Sequence, residues 1–211
     1  MMAFNEMTDL VLFRFGDSPV LMLDFAASLL GLTCVFLAGR NSEKNFWVGY
    51  VYGICLFALF LKKGLYAAMA LQVISFVINV FGHYRWTHPK ENERSEADAG
   101  RLKVSSLGKR QWVLSLLGAA TAGTVLALYL KTTSDPSPGL DAYIMTLTLL
   151  AQYLSAQKRW ECWIVWIAIN AANIALYINA GLQLMPIISG LYLTNGIWSL
   201  VSWLKLYRKN E

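Results

Sequence analysis

Between Trp163 and Tyr177 the chain reads WIVWIAINAANIALY. Trp163, Trp166, Asn170, Asn173 and Tyr177 recur at helical positions i, i+3, i+7, i+10 and i+14, so five indole, amide and phenol side chains share one side of a single helix. The residues between them are Ile, Val, Ala and Leu, and a further amide, Asn179, follows just past the run. A stripe of this kind on an otherwise apolar helix is poorly placed against lipid. It is suited to a cavity that holds something flat and partly polar, either neutral or cationic.

The rest of the composition places that helix in a bilayer. Of 211 residues, 56% are hydrophobic and only 15% charged, with a mean hydropathy of +0.45; a soluble domain carries about 25% charged residues. The charges are clustered, leaving long uncharged segments between them. The net charge of +5 is read as a positive-inside bias and not as a nucleic-acid surface, so no nucleic-acid partner is expected. Cys34, Cys55 and Cys162 sit in or beside apolar segments at spacings that match no metal or redox motif, and read as small buried residues. Met1 to Phe15 lacks the basic, apolar and small-residue order of a cleavable signal peptide.

About 20 apolar residues cross a bilayer core. Seven such spans are expected, at roughly 21–39, 46–61, 65–84, 111–130, 141–157, 162–179 and 184–204. Tight connections are expected at Lys62-Lys63-Gly64 and Ala180-Gly181, and a break at Pro136, Pro138 and Gly139. The long segment 85–110, rich in Ser, Glu and Lys, is expected to be a mobile loop. With the N-terminus outside, 14 of the 18 Lys and Arg fall on the inner side, leaving Arg14, Lys62, Lys63 and Lys131 outside; the topology is therefore N-out, C-in. An offset of 117 residues superposes Asp24 on Asp141, Gly64 on Gly181, Leu65 on Leu182 and Trp86 on Trp203. The chain is accordingly read as one all-α transporter domain over 1–211, with seven transmembrane helices in a 3+1+3 plan. Repeat 1 covers about 21–86, a linker helix about 111–130 and repeat 2 about 141–204, and the two three-helix repeats run parallel.

Two other spans carry similar stripes. In the third, Gln72, Ser75 and Asn79 share a face beside Phe76; in the last, Tyr192, Asn195 and Trp198 follow one another turn by turn. Amides inside hydrocarbon must find partners, and packing between helices is the plain alternative at about 1 kcal/mol per contact. Trp163, near the start of its span, also suits an interfacial aromatic belt. Three stripes together point to a central pocket lined from both halves. No Asp, Glu, Lys, Arg or His lies deep in a span; Asp24 and Asp141 are at span starts and His83 at a span end. No phosphate loop, metal cluster or acid/base pair assembles, so neither an enzyme nor an ATP-driven pump is expected, and no cofactor or metal. Passive passage of a neutral or cationic organic solute is what remains. A membrane sensor or scaffold, whose stripes only pack helices, is the alternative of a different class.

At these residues the chain resembles the PnuC family of bacterial vitamin transporters. Glu161, Trp163, Trp166 and Asn170 read E-x-W-x-x-W-x-x-x-N, and Gln72, Asn79, Gly82 and Trp86 read Q-x6-N-x-x-G-x-x-x-W. Lys63-Gly64-Leu65-Tyr66 and the ending Asn195…Trp203 also fit, and the likeness runs from about Leu23 to Leu206. It implies a seven-helix fold with two three-helix repeats, a homotrimer in the bacterial inner membrane, and uptake of nicotinamide riboside retained by a cytoplasmic kinase. Carried over by motif position, Trp163 and Trp166 would stack on the pyridinium. Asn170 and Gln72 would bond ribose hydroxyls or the carboxamide, with Asn79 in support. The expected substrate-binding set is therefore Gln72, Asn79, Trp163, Trp166, Asn170, Asn173, Tyr177 and Asn195. Thiamine, or another vitamin or nucleoside carried by the same fold, is the alternative substrate.

Overall fold

The computed structural model describes residues 10–15, 18–62, 66–98, 100–133, 137–179, 181 and 184–210. A short antiparallel hairpin, β1 (Val11–Phe15) and β2 (Ser18–Leu21), precedes seven long helices among these residues. They are α1 (Met22–Gly39), α2 (Lys44–Lys62), α3 (Tyr66–Thr87), α4 (Lys109–Leu130), α5 (Pro138–Ala156), α6 (Cys162–Asn179) and α7 (Leu184–Lys209). Each lies within a few residues of an expected span. Five of them, α1, α2, α4, α6 and α7, are long and apolar enough to cross a membrane. The other two, α3 and α5, have lower hydropathy because they carry Gln72, Ser75, Asn79 and His83, and Thr146, Thr148, Gln152 and Ser155. The hairpin was not foreseen. The connections at Lys63-Gly64 and Ala180, with Pro136, lie outside the described residues.

Contacts run α1–α2, α2–α3, α3–α5, α5–α6, α6–α7 and α7–α1, which closes six helices into a ring. The remaining helix, α4, packs along α5. Outward-facing residues such as Leu29, Ile54, Val77, Leu117, Val125 and Ile187 are exposed apolar side chains, the surface that lipid requires. Gly82 lets α3 approach α5, since a Cβ there would sit 2.8 Å from a Phe46 ring carbon and 2.9 Å from the Ala156 Cβ.

Two helices end in the same way. After α1 the chain enters the left-handed region at Asn41 (φ 59°), with Asn41 N–H donating to Ala38 O at 2.9 Å and Ser42 N–H to Leu37 O at 3.0 Å. After α5 it does so at Lys158 (φ 57°), with Lys158 N–H donating to Ser155 O and Arg159 N–H to Leu154 O, both at 2.9 Å. This paired pattern satisfies the last carbonyls of a helix. Asn tolerates the conformation; Lys is an unusual choice.

The reason for Lys158 lies in the segment between α3 and α4. That segment is not a free loop, contrary to the expectation of mobility. It turns through short 3-10 segments, and Leu102 and Val104 are only 3% exposed within the core. The turn between α5 and α6 pins it. Lys158, itself 1% exposed, donates from Nζ to Leu102 O at 2.6 Å and lies 4.6 Å from the Trp86 ring centroid. Arg159 Nη1 donates to Ser106 O at 2.5 Å. The Glu161 carboxylate accepts from Ser106 Oγ at 2.6 Å and Leu107 N–H at 2.7 Å. Asn41, from the other helix end, donates to Asp98. Composition alone suggested a solvated segment; buried apolar side chains and charge-assisted bonds to the helix ends hold it instead.

Burial pushes the Lys158 ammonium down from 10.5 to about 8. Between these values the unfolded chain holds a proton that the folded protein lacks, so raising the pH through the window favours folding. The contribution is complete above about pH 10.5 and is lost as pH falls through about 8. Thermal unfolding of the detergent-solubilised protein followed from pH 8 to 10 is expected to show this rise, and Lys158→Met to flatten it relative to the wild type.

Candidate functional site

The helix ring encloses a cavity of about 580 Å³, well within the range of about 300–1,000 Å³ typical of small-molecule sites. All six ring helices contribute to its wall, and α4 contributes nothing. From α6 come Trp163, Trp166, Asn170, Asn173 and Tyr177, the whole stripe read from sequence. From α3, on the far side of α5 in the ring, come Gln72, Ser75, Phe76 and Asn79. Of the eight expected residues, seven therefore face one space. Asn195 does not: it is half-buried on α7, outside the cavity wall, with its Nδ2 buried and without a hydrogen-bond partner. Trp198 is also elsewhere, exposed and stacked on Phe36 with ring centroids 6.2 Å apart.

The amides are partly committed. Asn170 Nδ2 donates to Trp166 O at 2.8 Å, and Asn79 Nδ2 donates to Phe46 O at 3.1 Å. Both bonds use donors and fix the side chains, leaving carbonyl oxygens that can accept from hydroxyls. Trp163 is 1% exposed, so it is not a belt residue at the membrane surface. Its Nε1 is buried and without a partner.

Trp163 also belongs to a layer that closes one end of the cavity. It meets Trp203 edge-on at 5.4 Å, Trp203 meets Trp86 at 5.8 Å, and Trp86 meets Phe46 edge-on at 5.0 Å. All four rings are buried, and Trp86 Nε1 donates to Ser155 O at 3.2 Å. The pinned α3–α4 segment lies on this end. Much of the motif pattern thus serves packing: Glu161 clamps the segment, Gly82 permits helix approach, and Trp86 builds the floor.

Several wall residues were not singled out as site residues. Asn45 and Tyr52 from α2, Cys34 from α1, and Thr148 and Gln152 from α5 all line the cavity. Cys34 Sγ lies 3.3 Å from Asn45 O, as a weak donor. Gln152 could have been found: it is an amide in a span, followed a turn later by Ser155. Tyr52 could also have been found, since Asn45 precedes it by seven residues on the same face of α2. Asp24, expected merely at a span start, reaches the wall as well.

A closed ring of apolar helices around a solute-sized cavity lined by amides and aromatic rings is the architecture that a membrane transporter needs. The family described as nicotinamide mononucleotide transporter matches residues 21–205, and the chain belongs to it, in the group of PnuC transporters. It is 26% identical over 209 residues to the nicotinamide riboside transporter PnuC of Neisseria mucosa, covering 93% of this chain and 77% of that one. It is 25% identical over 194 residues to the riboflavin/roseoflavin transporter RibM of Streptomyces davaonensis, covering 89% and 86%. A crystal structure of the vitamin B3 transporter PnuC superposes with a TM-score of 0.70 at 22% identity, covering 90% of this chain and 83% of that one, and shares the fold. This is a multi-pass protein of the inner membrane.

Gly49, itself part of the wall, gives a way to disturb the Asn79 amide without replacing it. A Cβ there would lie 2.9 Å from Asn79 Nδ2 and 3.1 Å from its Oδ1, forcing the amide off Phe46 O. Gly49→Ala and Asn79→Ala are each expected to weaken solute binding about two- to tenfold, the worth of one hydrogen bond. Measured by calorimetry, the double variant should lose little more than either single one.

Proposed function

We propose that this protein carries nicotinamide riboside across the inner membrane by facilitated diffusion, as a uniporter, and that a cytoplasmic kinase retains the riboside by phosphorylating it. The observation that carries this reading is the cavity wall. Trp163 and Trp166 offer indole faces to a pyridinium, worth about 0.5–2 kcal/mol when the ring is desolvated. Gln72, Asn170, Asn173 and Gln152 offer amides to a ribose and a carboxamide, with Asn79 in support. The family description names the mononucleotide, whose phosphate calls for Lys, Arg or a helix N-terminus. The described wall residues include no Lys or Arg, which supports the riboside over its phosphate. That same preference makes phosphorylation an effective trap, since it adds the charge the wall does not accommodate.

Uniport is supported by the absence of titratable carboxylate, Lys, Arg or His from the middle of the described wall, where coupling ions or protons usually bind. The 3+1+3 plan belongs to the same proposal. The offset of 117 residues carries the starts of α1, α2 and α3 to within one residue of those of α5, α6 and α7. It also carries Asn41 onto Lys158, and the α3–α5 contact onto α7–α1. Two parallel repeats with α4 as linker account for all three coincidences. The clustering of Lys and Arg on the α3–α4 segment and the α5–α6 turn supports N-out, C-in. Assembly as a homotrimer is carried over from the family.

A second substrate reading, riboflavin, is favoured by the RibM relative and by Tyr52, Tyr192 and Phe76 in the wall, which suit a larger flat ring. Thiamine, also a cationic ring, fits the same indoles.

Calorimetry of the purified protein against nicotinamide riboside, its mononucleotide, thiamine and riboflavin decides among these; the riboside is expected to bind tightest. Trp166→Ala and Asn170→Ala should each cost roughly tenfold in affinity while the protein still inserts and folds. In liposomes without a gradient, labelled riboside should equilibrate and no more, and enclosed kinase with ATP should drive it beyond equilibrium. Uptake that requires a proton or sodium gradient would overturn uniport, and tightest binding of the mononucleotide would overturn the substrate.

A further inference from the structure

Glycine is a poor helix former, because it loses more backbone freedom than alanine does. One in the middle of a membrane-spanning helix needs a packing reason, and Gly31 has one. It lies midway along α1, buried and in the cavity wall, and two phenols occupy the space that a side chain would take. A Cβ there would sit 2.3 Å from the Tyr192 hydroxyl, 3.2 Å from Tyr52 Cζ and 3.4 Å from Tyr52 Cε2. We propose that Gly31 and the two phenols seated on it set the width of the solute chamber, and so how broad a flat ring it admits. The proposal rests on the reading of the cavity as a solute site and adds the residues that limit solute size.

Three observations carry it. First, Tyr52 comes from α2 and Tyr192 from α7, the two helices that flank α1 in the ring. Both phenols line the cavity, and both reach the bare backbone of Gly31 from their own sides. Second, they stand at the depth of the amide stripe. Gly31, Tyr52 and Asn170 are each eight residues from the floor end of their helices, at Gly39, Lys44 and Cys162, or about 12 Å along the axis. Third, the seat has no slack. Ordinary contact between heavy atoms needs about 3.5 Å, so a methyl group at residue 31 would displace the Tyr192 hydroxyl by about 1 Å. Tyr52 closes the α2 side and the α1 backbone lies behind, which leaves the cavity as the side open to the displaced ring. An interior packed this closely passes a one-methyl change on to the neighbouring wall.

The test is calorimetry on the purified protein with two probes of one charge. They are nicotinamide riboside and its benzo-fused quinolinium analogue, which has the same sugar and carboxamide on a wider ring. Gly31→Ala is expected to weaken the wider probe about tenfold more than the riboside, the scale on which a fitted pocket reads one methyl group. Tyr192→Phe removes the oxygen that the new Cβ meets. Combined with Gly31→Ala, it should return the preference between probes to within about twofold of that in Tyr192→Phe alone. Tyr52→Leu trades a ring for a smaller side chain and should shift the preference toward the wider probe. Equal loss of both probes in Gly31→Ala, loss of neither, or a loss that Tyr192→Phe does not reverse overturns the proposal. If Gly31→Ala does not insert, Tyr52→Leu decides alone, and an unchanged preference overturns it. If the wild type binds riboflavin in place of the riboside, the substrate reading fails. A loss of riboflavin of about tenfold in Gly31→Ala that Tyr192→Phe reverses then still upholds the size limit, and no loss overturns it.

Discussion

An amide in the hydrocarbon core has to make its hydrogen bonds inside the protein, because acyl chains offer none. Six helices of this chain are arranged around that demand. The polar sides of α3 and α6 turn toward a common space, and their apolar sides remain for lipid.

The two ends of the ring are built differently. At one end, four buried rings form a floor, and the basic α5–α6 turn ties it to the α3–α4 segment through Lys158, Arg159 and Glu161. At the other, Asp24 stands in the wall without any such aromatic layer among the described contacts. A carrier has to open its two ends alternately, and a floor held by charge-assisted bonds is the end that costs more to open. Trp163 couples the two functions, since one ring is both part of the floor and part of the wall.

Motif residues therefore divide by physical role. Trp166 and Asn170 present their side chains to the cavity, whereas Glu161, Gly82 and Trp86 hold the frame that positions them. Spacing on a helix does not separate these roles, because a helical period reports a shared face and not what that face meets.

Sequence alone was sufficient for the helices, their approximate ends and seven of the eight expected cavity residues. These depend on local periodicity and on the exclusion of amides from lipid, and both act within one segment. Asn195 lies off the wall, Gln152 and Tyr52 lie on it, and the α3–α4 segment is packed in place, because those outcomes depend on how separate helices are rotated and where they close. Asp24 is the clearest case. Its first-turn position matches that of Asp141, and only the tertiary packing of the ring brings one of the two residues to the cavity wall.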